Sequence, residues 1–402
     1  MKYLLLLLPV LINASIIGQI FDKLTNEPIP FAKVSDNTKD VIADINGSFS
    51  INSKDNILHV KAYGYRPYEI NSSDFTNTKV ELSPLKIKAA YVSLGGARKS
   101  SKTFARVMKL VDAGEINALA IDIKDVRGWT SYKNSIDKKR YKGGSIKNIA
   151  SYVKMLKEKN IYLIARVVVF KDTYQANKTP NIALKTNDGK VWKNSQKLAW
   201  LNPYNSKSHK YAIDIAKEVA SYGFDEINFD YIRFPTKRSL NWQQKNNMKN
   251  RVATINKFLK KAVKELRPYG VFISVDTFGQ ISWVKNDQGL GQRTEELSKY
   301  ADYISPMLYP SGFSKGMFKN RYPTNHNYEV IKTSLKKMKK DIDMVRVRPW
   351  LQAFKDYAHN KKHYTQKELN AQIKACDDMG TSGWILWNPS SKYIKVFPHV
   401  YR

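Results

Sequence analysis

From Pro84 onward the chain alternates between short runs rich in Val, Ile, Leu and aromatics and longer stretches with helical periodicity. Strands separated in this way by amphipathic helices lie parallel in one sheet, so this alternation restricts the fold more than any other feature. The strand candidates are AAYVSL (89–94), INALAIDIKD (116–125), IYLIARVVVF (161–170), FDEINFDYI (224–232), VFISVDTF (271–278), ADYISPMLY (301–309), VRVRPWLQAF (345–354) and GWILWNP (383–389). Seven helical stretches lie between them, from SSKTFARVMKLVDAG to TQKELNAQIKACDDMG. Eight strands and seven helices over about 300 residues predict an α/β fold of the (β/α)8 TIM-barrel type across residues 85–402. A doubly wound open sheet would carry a Gly-rich phosphate loop after its first strand, and GGARKS at 95–100 lacks that spacing. The eighth helix is expected to be short or replaced by the tail YIKVFPHVYR.

Residues 16–84 differ in kind. Short alternating strands are separated by the turn signals TNEP, DING and GYRP, which predicts a small antiparallel all-β sandwich. Residues 1–15, MKYLLLLLPVLINAS, combine one Lys, an apolar run from Leu4 to Ile12 and small residues at Ala14 and Ser15, the pattern of a secretory signal peptide. The expectation is a periplasmic or secreted protein without stable membrane insertion, since no other stretch approaches the length of a membrane span. A single Cys376 within a helical pattern cannot close an internal disulfide and reads as a small buried residue.

The net charge of +33 suits attraction to anionic polymers such as cell-wall glycan. Because the basic residues spread over helix faces such as KTSLKKMKKD and KFLKKAVKEL, they read as solvated surface rather than a dedicated patch. No recognition motif for nucleic acid is present. His359 and His363 stand four apart but lack a third ligand, so no metal is expected, and no cofactor is required.

In a barrel of parallel strands the chemistry gathers at the C-terminal strand ends. There the second strand offers Asp122 and Asp125, the third Arg166, and the fourth Asp230 with Tyr231 and Arg233. The fifth offers Asp276, the sixth Tyr309, the seventh Gln352, and the eighth Trp387 and Asn388. Carboxylates, a guanidinium, amides and aromatics in one basin suit sugar chemistry. One carboxylic acid protonates the departing glycosidic oxygen, while a second carboxylate attacks the anomeric carbon or activates water. Asp230 and Asp276 end adjacent strands in equivalent places, INFDYI and ISVDTF, and are the expected catalytic pair. Asp230 is expected as nucleophile or base, kept ionised by Arg233 or Arg166, and Asp276 as general acid, with Asp122 or Asp125 as the alternative acid. The helix-capping reading of Asp230 is weaker, because Pro235 intervenes and the next helical pattern starts near Asn246. The long connection after the third strand, residues 171–203, contains NDGK as a hairpin turn. Its Trp192 and Trp200 would either stack on sugar rings or pin the loop to the barrel, and Trp129 is a further platform candidate.

Two resemblances follow from these residues. Gly18, Asp22, the Pro28–Ile29–Pro30 segment, the turn at Asp44 to Phe49 and Gly64–Tyr65 resemble the carboxypeptidase-regulatory-like domain, which implies an accessory module without catalysis. AIDIKDVRGW, IYLIARVVVF, AWLNPY, GFDEINFDYIRFP, SVDTFG, ADYISPMLYPSGF, RPWLQAF and GWILWNP, spanning about Ala89 to Pro389, resemble a glycoside-hydrolase-like (β/α)8-barrel family first catalogued as a bacterial domain of unknown function. That group is similar to the α-amylase-like barrel hydrolases and to a group acting on bacterial cell-wall glycan. In the α-amylase-like enzymes an Asp nucleophile closes strand four and a general-acid carboxylate closes strand five, and Asp230 and Asp276 match by position. The strand-five residue is Asp where the amylase pattern has Glu, and RPWLQAF stands where a His-Asp signature would be. The resemblance thus implies a glycosidase acting on polysaccharide or cell-wall glycan and leaves linkage and stereochemistry open. The rival readings are a catalytically silent glycan-binding barrel and a sugar deacetylase, which would want a His/Asp metal cluster.

Overall fold

The computed structural model describes residues 15–401, except 72–73, 75–77, 238 and 318–321. The proposed signal peptide therefore lies, apart from Ser15, outside the described residues. Two compact units divide at Pro84 and Leu85.

The first unit holds strands β1 (Ile16–Asp22), β2 (Lys33–Ser35), β3 (Asp40–Ile42), β4 (Ser48–Ile51), β5 (Ile57–Lys61), β6 (Tyr68–Asn71) and β7 (Thr78–Leu82). They form two sheets, β4-β1-β7 and β3-β2-β5-β6, around a core that includes Ile20, Val34, Phe49, Leu58, Val60 and Val80. The anticipated sandwich is present, but it is not wholly antiparallel, because β7 runs parallel to β1. Hairpin signals reveal neighbours in sequence, whereas this pair joins the two ends of the unit. The residues that carried the resemblance do local work. The Asp22 carboxylate accepts from the amides of Leu24 (2.7 Å) and Thr25 (3.1 Å) and from the Tyr65 hydroxyl (2.8 Å). Asp44 accepts from the amides of Asn46 and Ser48, both at 2.8 Å, and so closes the turn before β4.

The second unit contains β8 (Ile87–Val92), β9 (Ala118–Lys124), β10 (Thr130–Tyr132), β11 (Tyr141–Ile146), β12 (Tyr162–Val168), β13 (Glu226–Asp230), β14 (Phe272–Phe278), β15 (Tyr303–Met307), β16 (Trp350–Gln352) and β17 (Gly383–Trp387). Its helices are α1 (Lys102–Asp112), α2 (Ile149–Glu158), α3 (Thr173–Lys178), α4 (Lys207–Ser221), α5 (Met248–Leu266), α6 (Thr294–Leu297), α7 (Asn327–Met338) and α8 (Gln366–Asp378). The order β8-β9-β12-β13-β14-β15-β16-β17 closes on itself, because β17 pairs with β8, giving the eight-stranded parallel barrel anticipated from the alternation. Closure depends on Gly383, whose φ is 115° and where any Cβ would collide with the Ile87 carbonyl.

Period-two alternation divides the strands between two environments. Leu119, Ile121, Leu163, Val167, Ile227, Phe229, Ile273 and Val275 belong to the core under the helices. The helices present their apolar stripes to it, as α1 does with Phe104, Val107, Met108 and Leu110 behind a Ser101 cap. The opposite residues face inward and carry the polar groups. Low in the barrel, Arg348 pairs with Glu226 at 2.6 Å, Tyr162 donates to the same carboxylate at 2.9 Å, and the Arg348 guanidinium lies 3.7 Å from the Tyr303 ring centre.

Three elements were not anticipated. The loop after β9 forms β10, antiparallel to β9, with β11 beside it. The loop after β12 contains α3 before the expected hairpin, whose arms meet at Lys185–Val191; a second turn brings Lys193 to Ala199, and Ala183 pairs with Leu201. In place of an eighth barrel helix, a single 3-10 turn at Pro398–Tyr401 ends the chain, tied back by the Tyr401 hydroxyl to the Arg106 carbonyl at 2.8 Å. Among the described residues no helix is long and apolar enough to cross a membrane.

Because the Glu226–Arg348 pair is fully buried, Arg348→Met is expected to destabilise the barrel by about 3–5 kcal/mol through the lone carboxylate it leaves. The Glu226→Gln/Arg348→Met double variant should regain most of that loss. Urea unfolding of both single variants and the double variant checks this.

Candidate active site

The widest network in the barrel centres on Arg166, which β12 aims inward. Its guanidinium donates to Asp122 Oδ1 at 2.5 Å and to Asp230 Oδ2, bridging the strands on either side. The second Asp122 oxygen accepts from the Tyr91 hydroxyl at 2.9 Å. Burial opposes the charge on Arg166, but Asp230 and Asp122 outweigh it and hold its pKa well above the ordinary guanidinium value. Tyr91 and Trp387 close one side of the group, with ring centres 4.2 Å apart and the guanidinium 5.7 and 5.2 Å from them.

Asp276 stands apart from this bridge. The register of β13 against β14 pairs Phe229 with Val275. Asp230 and Asp276, one residue further on, therefore sit side by side on strands roughly 4.8 Å apart. Asp276 is 2% exposed, and its Oδ1 accepts from Asn228 Nδ2 at 2.8 Å and from the Trp350 indole at 2.6 Å. No donor to its Oδ2 is found among the described residues. Burial first, and then the neighbouring Asp230, push its carboxyl well above the usual range, against the opposing effects of Arg166, Asn228 and Trp350. A protonated Asp276 beside an Asp230 paired with Arg166 is a division of roles that two identical side chains acquire only from their surroundings.

The chain turns sharply at this point. Tyr231 has φ 49°, a left-handed conformation that a bulky residue adopts only when its surroundings enforce it, and its amide donates to Asp230 Oδ1 at 2.5 Å. The Tyr231 ring carries the Lys171 ammonium at 4.8 Å and the Arg233 guanidinium at 5.2 Å. Burial and the like charge of Arg233 push Lys171 down to about 8. Tyr309 is half-buried within electrostatic reach of the same carboxylates; desolvation, Asp276 and Asp230 together raise its phenol well above the ordinary value.

Asp122, Arg166, Asp230, Tyr231, Asp276, Tyr309 and Trp387 are thus brought to one end of the barrel, while other anticipated residues are committed elsewhere. Arg233 is not the partner of Asp230; it lies over Trp200 at 5.2 Å and donates to the Phe234 carbonyl. Trp200 is 3% exposed and packs edge-on against Tyr231, so it pins the loop and offers no open face. Gln352 is fully buried, bonded to Ser311 and to the Phe354 carbonyl, with its backbone held by Gln372. Asn388 spends its amide on Ala353, Ser390 and Lys392 and closes the loop after β17. Among the described residues Asp125 forms no ion pair with Lys124 or Arg127, although the Lys124 charge acts on it. It accepts from the amides of Arg127 and Trp129 at 2.9 Å, and burial followed by Asp122 raises its pKa. The sequence reading missed Tyr91, Asn228, Trp350 and Lys171. Asn228 and Trp350 each stand two residues before a residue that was chosen, on the same strand face, and strand parity could have found them.

A closed eight-stranded barrel with paired inward carboxylates at its C-terminal mouth defines the class of (β/α)8-barrel glycoside hydrolases. The chain belongs to the family described as "putative glycosyl hydrolase domain", whose signature matches residues 89–393. No curated protein matches it. Among solved structures, a hypothetical protein from Ruminiclostridium thermocellum is 36% identical, covering 46% of this chain and 96% of its own, with a TM-score of 0.41. The PgaB (BpsB) glycoside hydrolase domain from Bordetella bronchiseptica is 13% identical, covering 79% of this chain and 97% of its own, with a TM-score of 0.56. The β-amylase catalytic domain from Paenibacillus polymyxa is 12% identical, covering 79% and 98%, with a TM-score of 0.49. At this identity the Bordetella domain shares the fold.

The raised carboxyl of Asp276 carries a consequence for stability. It titrates near 3.8 when unperturbed and well above that in the folded barrel. Between those values the folded state keeps a proton that the unfolded chain has lost. Stability from this group is full below the unfolded value and falls as pH rises toward the folded one. Asp276→Asn keeps an oxygen for Asn228 and Trp350 and never ionises. It is expected to unfold at a higher temperature than the parent at about pH 7, with the gap closing near about pH 4; thermal unfolding at the two pH values reads this directly.

Proposed function

We propose that this protein is an exported glycoside hydrolase that cleaves a polysaccharide or bacterial cell-wall glycan, with Asp276 as general acid and Asp230 as nucleophile or base. The observation that carries the reading is the unequal environment of two neighbouring carboxyls. Asp276 is buried, bonded on one oxygen by Asn228 and Trp350, and pushed toward its protonated form. Asp230 faces the Arg166 guanidinium. Asp276 gives its proton to the glycosidic oxygen as the bond to the anomeric carbon breaks. Asp230 either bonds to that carbon or takes a proton from the attacking water. The half-buried Trp387 supplies an apolar face beside the Arg166 guanidinium that holds Asp230. Export is supported by the apolar run Leu4 to Ile12, and an anionic wall polymer by the net charge of +33.

Two measurements test this. Incubated with peptidoglycan, glycan strands and exopolysaccharides, the purified protein should release new reducing ends, and Asp230→Asn should lower the rate by about 10²–10⁴-fold. Undiminished release by the variant removes Asp230 from the mechanism, and tight binding without any release makes the barrel a glycan receptor. Trp350→Phe removes a donor that favours the ionised form of Asp276, so its pKa rises further. The alkaline limb of kcat/KM against pH should then move to higher pH.

A further inference from the structure

Outside the carboxylate cluster, the loops after β9 and β12 enclose a groove of about 520 Å³, lined by Arg127, Trp129, Thr173, Tyr174, Asn177, Lys178 and Leu198. We infer that this groove is a second glycan-binding subsite. It holds a sugar ring of the polymer on the Trp129 and Tyr174 rings while the bond to be cut lies at Asp230 and Asp276. The inference rests on the hydrolase reading and extends it, since a remote subsite of this kind serves a chain of sugars rather than a single residue.

The lining is amphipathic in the way a sugar ring requires: flat apolar rings with amide, hydroxyl and guanidinium groups at their edges, and no carboxylate among them. Trp129 and Tyr174 meet edge to face with centres 5.2 Å apart, which fixes both rings. Tyr174 is backed by the buried Arg140 guanidinium at 4.6 Å. Asn177 and Arg127 are exposed at the edge. Two cations line the groove, Arg127 and Lys178, the second paired with Asp137 at 2.7 Å and 5.8 Å from the Tyr174 ring centre.

The groove is also preformed and joined to the site. Beneath it Asp172 pairs with both Lys124 and Arg140 at 2.9 Å, all three side chains buried, and this holds the β9 loop to the start of α3. Gly128, at φ 89°, lets the two loops touch, since a Cβ there would collide with the Asp172 carboxylate. The Arg127 carbonyl accepts from the Tyr174 amide at 2.9 Å. Asp125 sets the turn that carries Trp129 and lies within electrostatic reach of Asp122. Asp122 is joined through Arg166 to Asp230. The turn that carries Trp129 is thus tied through Asp125, Asp122 and Arg166 to the reacting carboxylates.

Co-sedimentation of the full chain carrying Asp230→Asn with protein-free peptidoglycan sacculi tests the subsite without turnover. Adding Trp129→Ala is expected to weaken binding about tenfold, and Trp129→Phe to restore most of it. Asn177→Ala, at an exposed position that leaves the rings in place, is expected to weaken it about threefold. Binding unchanged in both the Trp129→Ala and Asn177→Ala chains, or no sedimentation of the Asp230→Asn chain, overturns the proposal. No reducing ends released by the parent chain would defeat the hydrolase assignment alone, while the binding comparison continues to decide the subsite.

Discussion

A buried guanidinium is the constraint on which the upper barrel is built. Arg166 cannot shed its proton, and removed from water it needs carboxylates in fork geometry. Asp122 and Asp230 supply them from the strands on either side, so one side chain fixes three strands at the level where chemistry occurs. This allocation leaves Asp276 without a cationic partner. It receives two neutral donors on one oxygen and the field of Asp230 beside it, and a proton is the cheapest remedy. The asymmetry of the pair is thus a consequence of where the single guanidinium sits.

The two ends of the barrel solve the problem of interior charge differently. At the lower end Glu226 and Arg348 form a one-to-one pair with Tyr162 and Tyr303 around them. At the upper end two carboxylates share one guanidinium while a third carboxyl, Asp276, has only neutral donors, a buried Lys171 is pushed down, and Tyr231 adopts a left-handed backbone. Charges matched one to one below and unmatched above are what a barrel shows when its lower face maintains the fold and its upper face acts.

Most of this architecture was legible because it is periodic. Every anticipated barrel strand is present, the first displaced to Ile87–Val92 and the others shortened, and Asp230 and Asp276 fall on neighbouring strands since INFDYI and ISVDTF carry the same parity. What escaped is short or non-local. β10 has three residues and α3 six, too few for a period to register. The parallel β1–β7 pair joins segments that no turn links. Gln352 and Asn388 were chosen for standing at strand ends, but the strand rule gives a level and a face, not a neighbour, and their amides are taken by Ser311 and by the loop after β17. The same limit hid Asn228 and Trp350, whose importance comes from the carboxyl they touch.

Asp125 shows how a candidate acid becomes a positioning residue. Its carboxylate is engaged by two amides of its own turn, so it has little freedom to follow a moving proton. What it fixes is the direction of the β9 loop, and with it Trp129. Directly below, Lys124, Asp172 and Arg140 lock that loop to α3 through buried ion pairs that would each be expensive to leave half-made. Loops this firmly held cannot close over a ligand as a lid. They present a fixed surface, and a fixed surface beside a cleft favours a substrate whose successive units are themselves stiff and regularly spaced, because little ordering entropy remains to oppose binding.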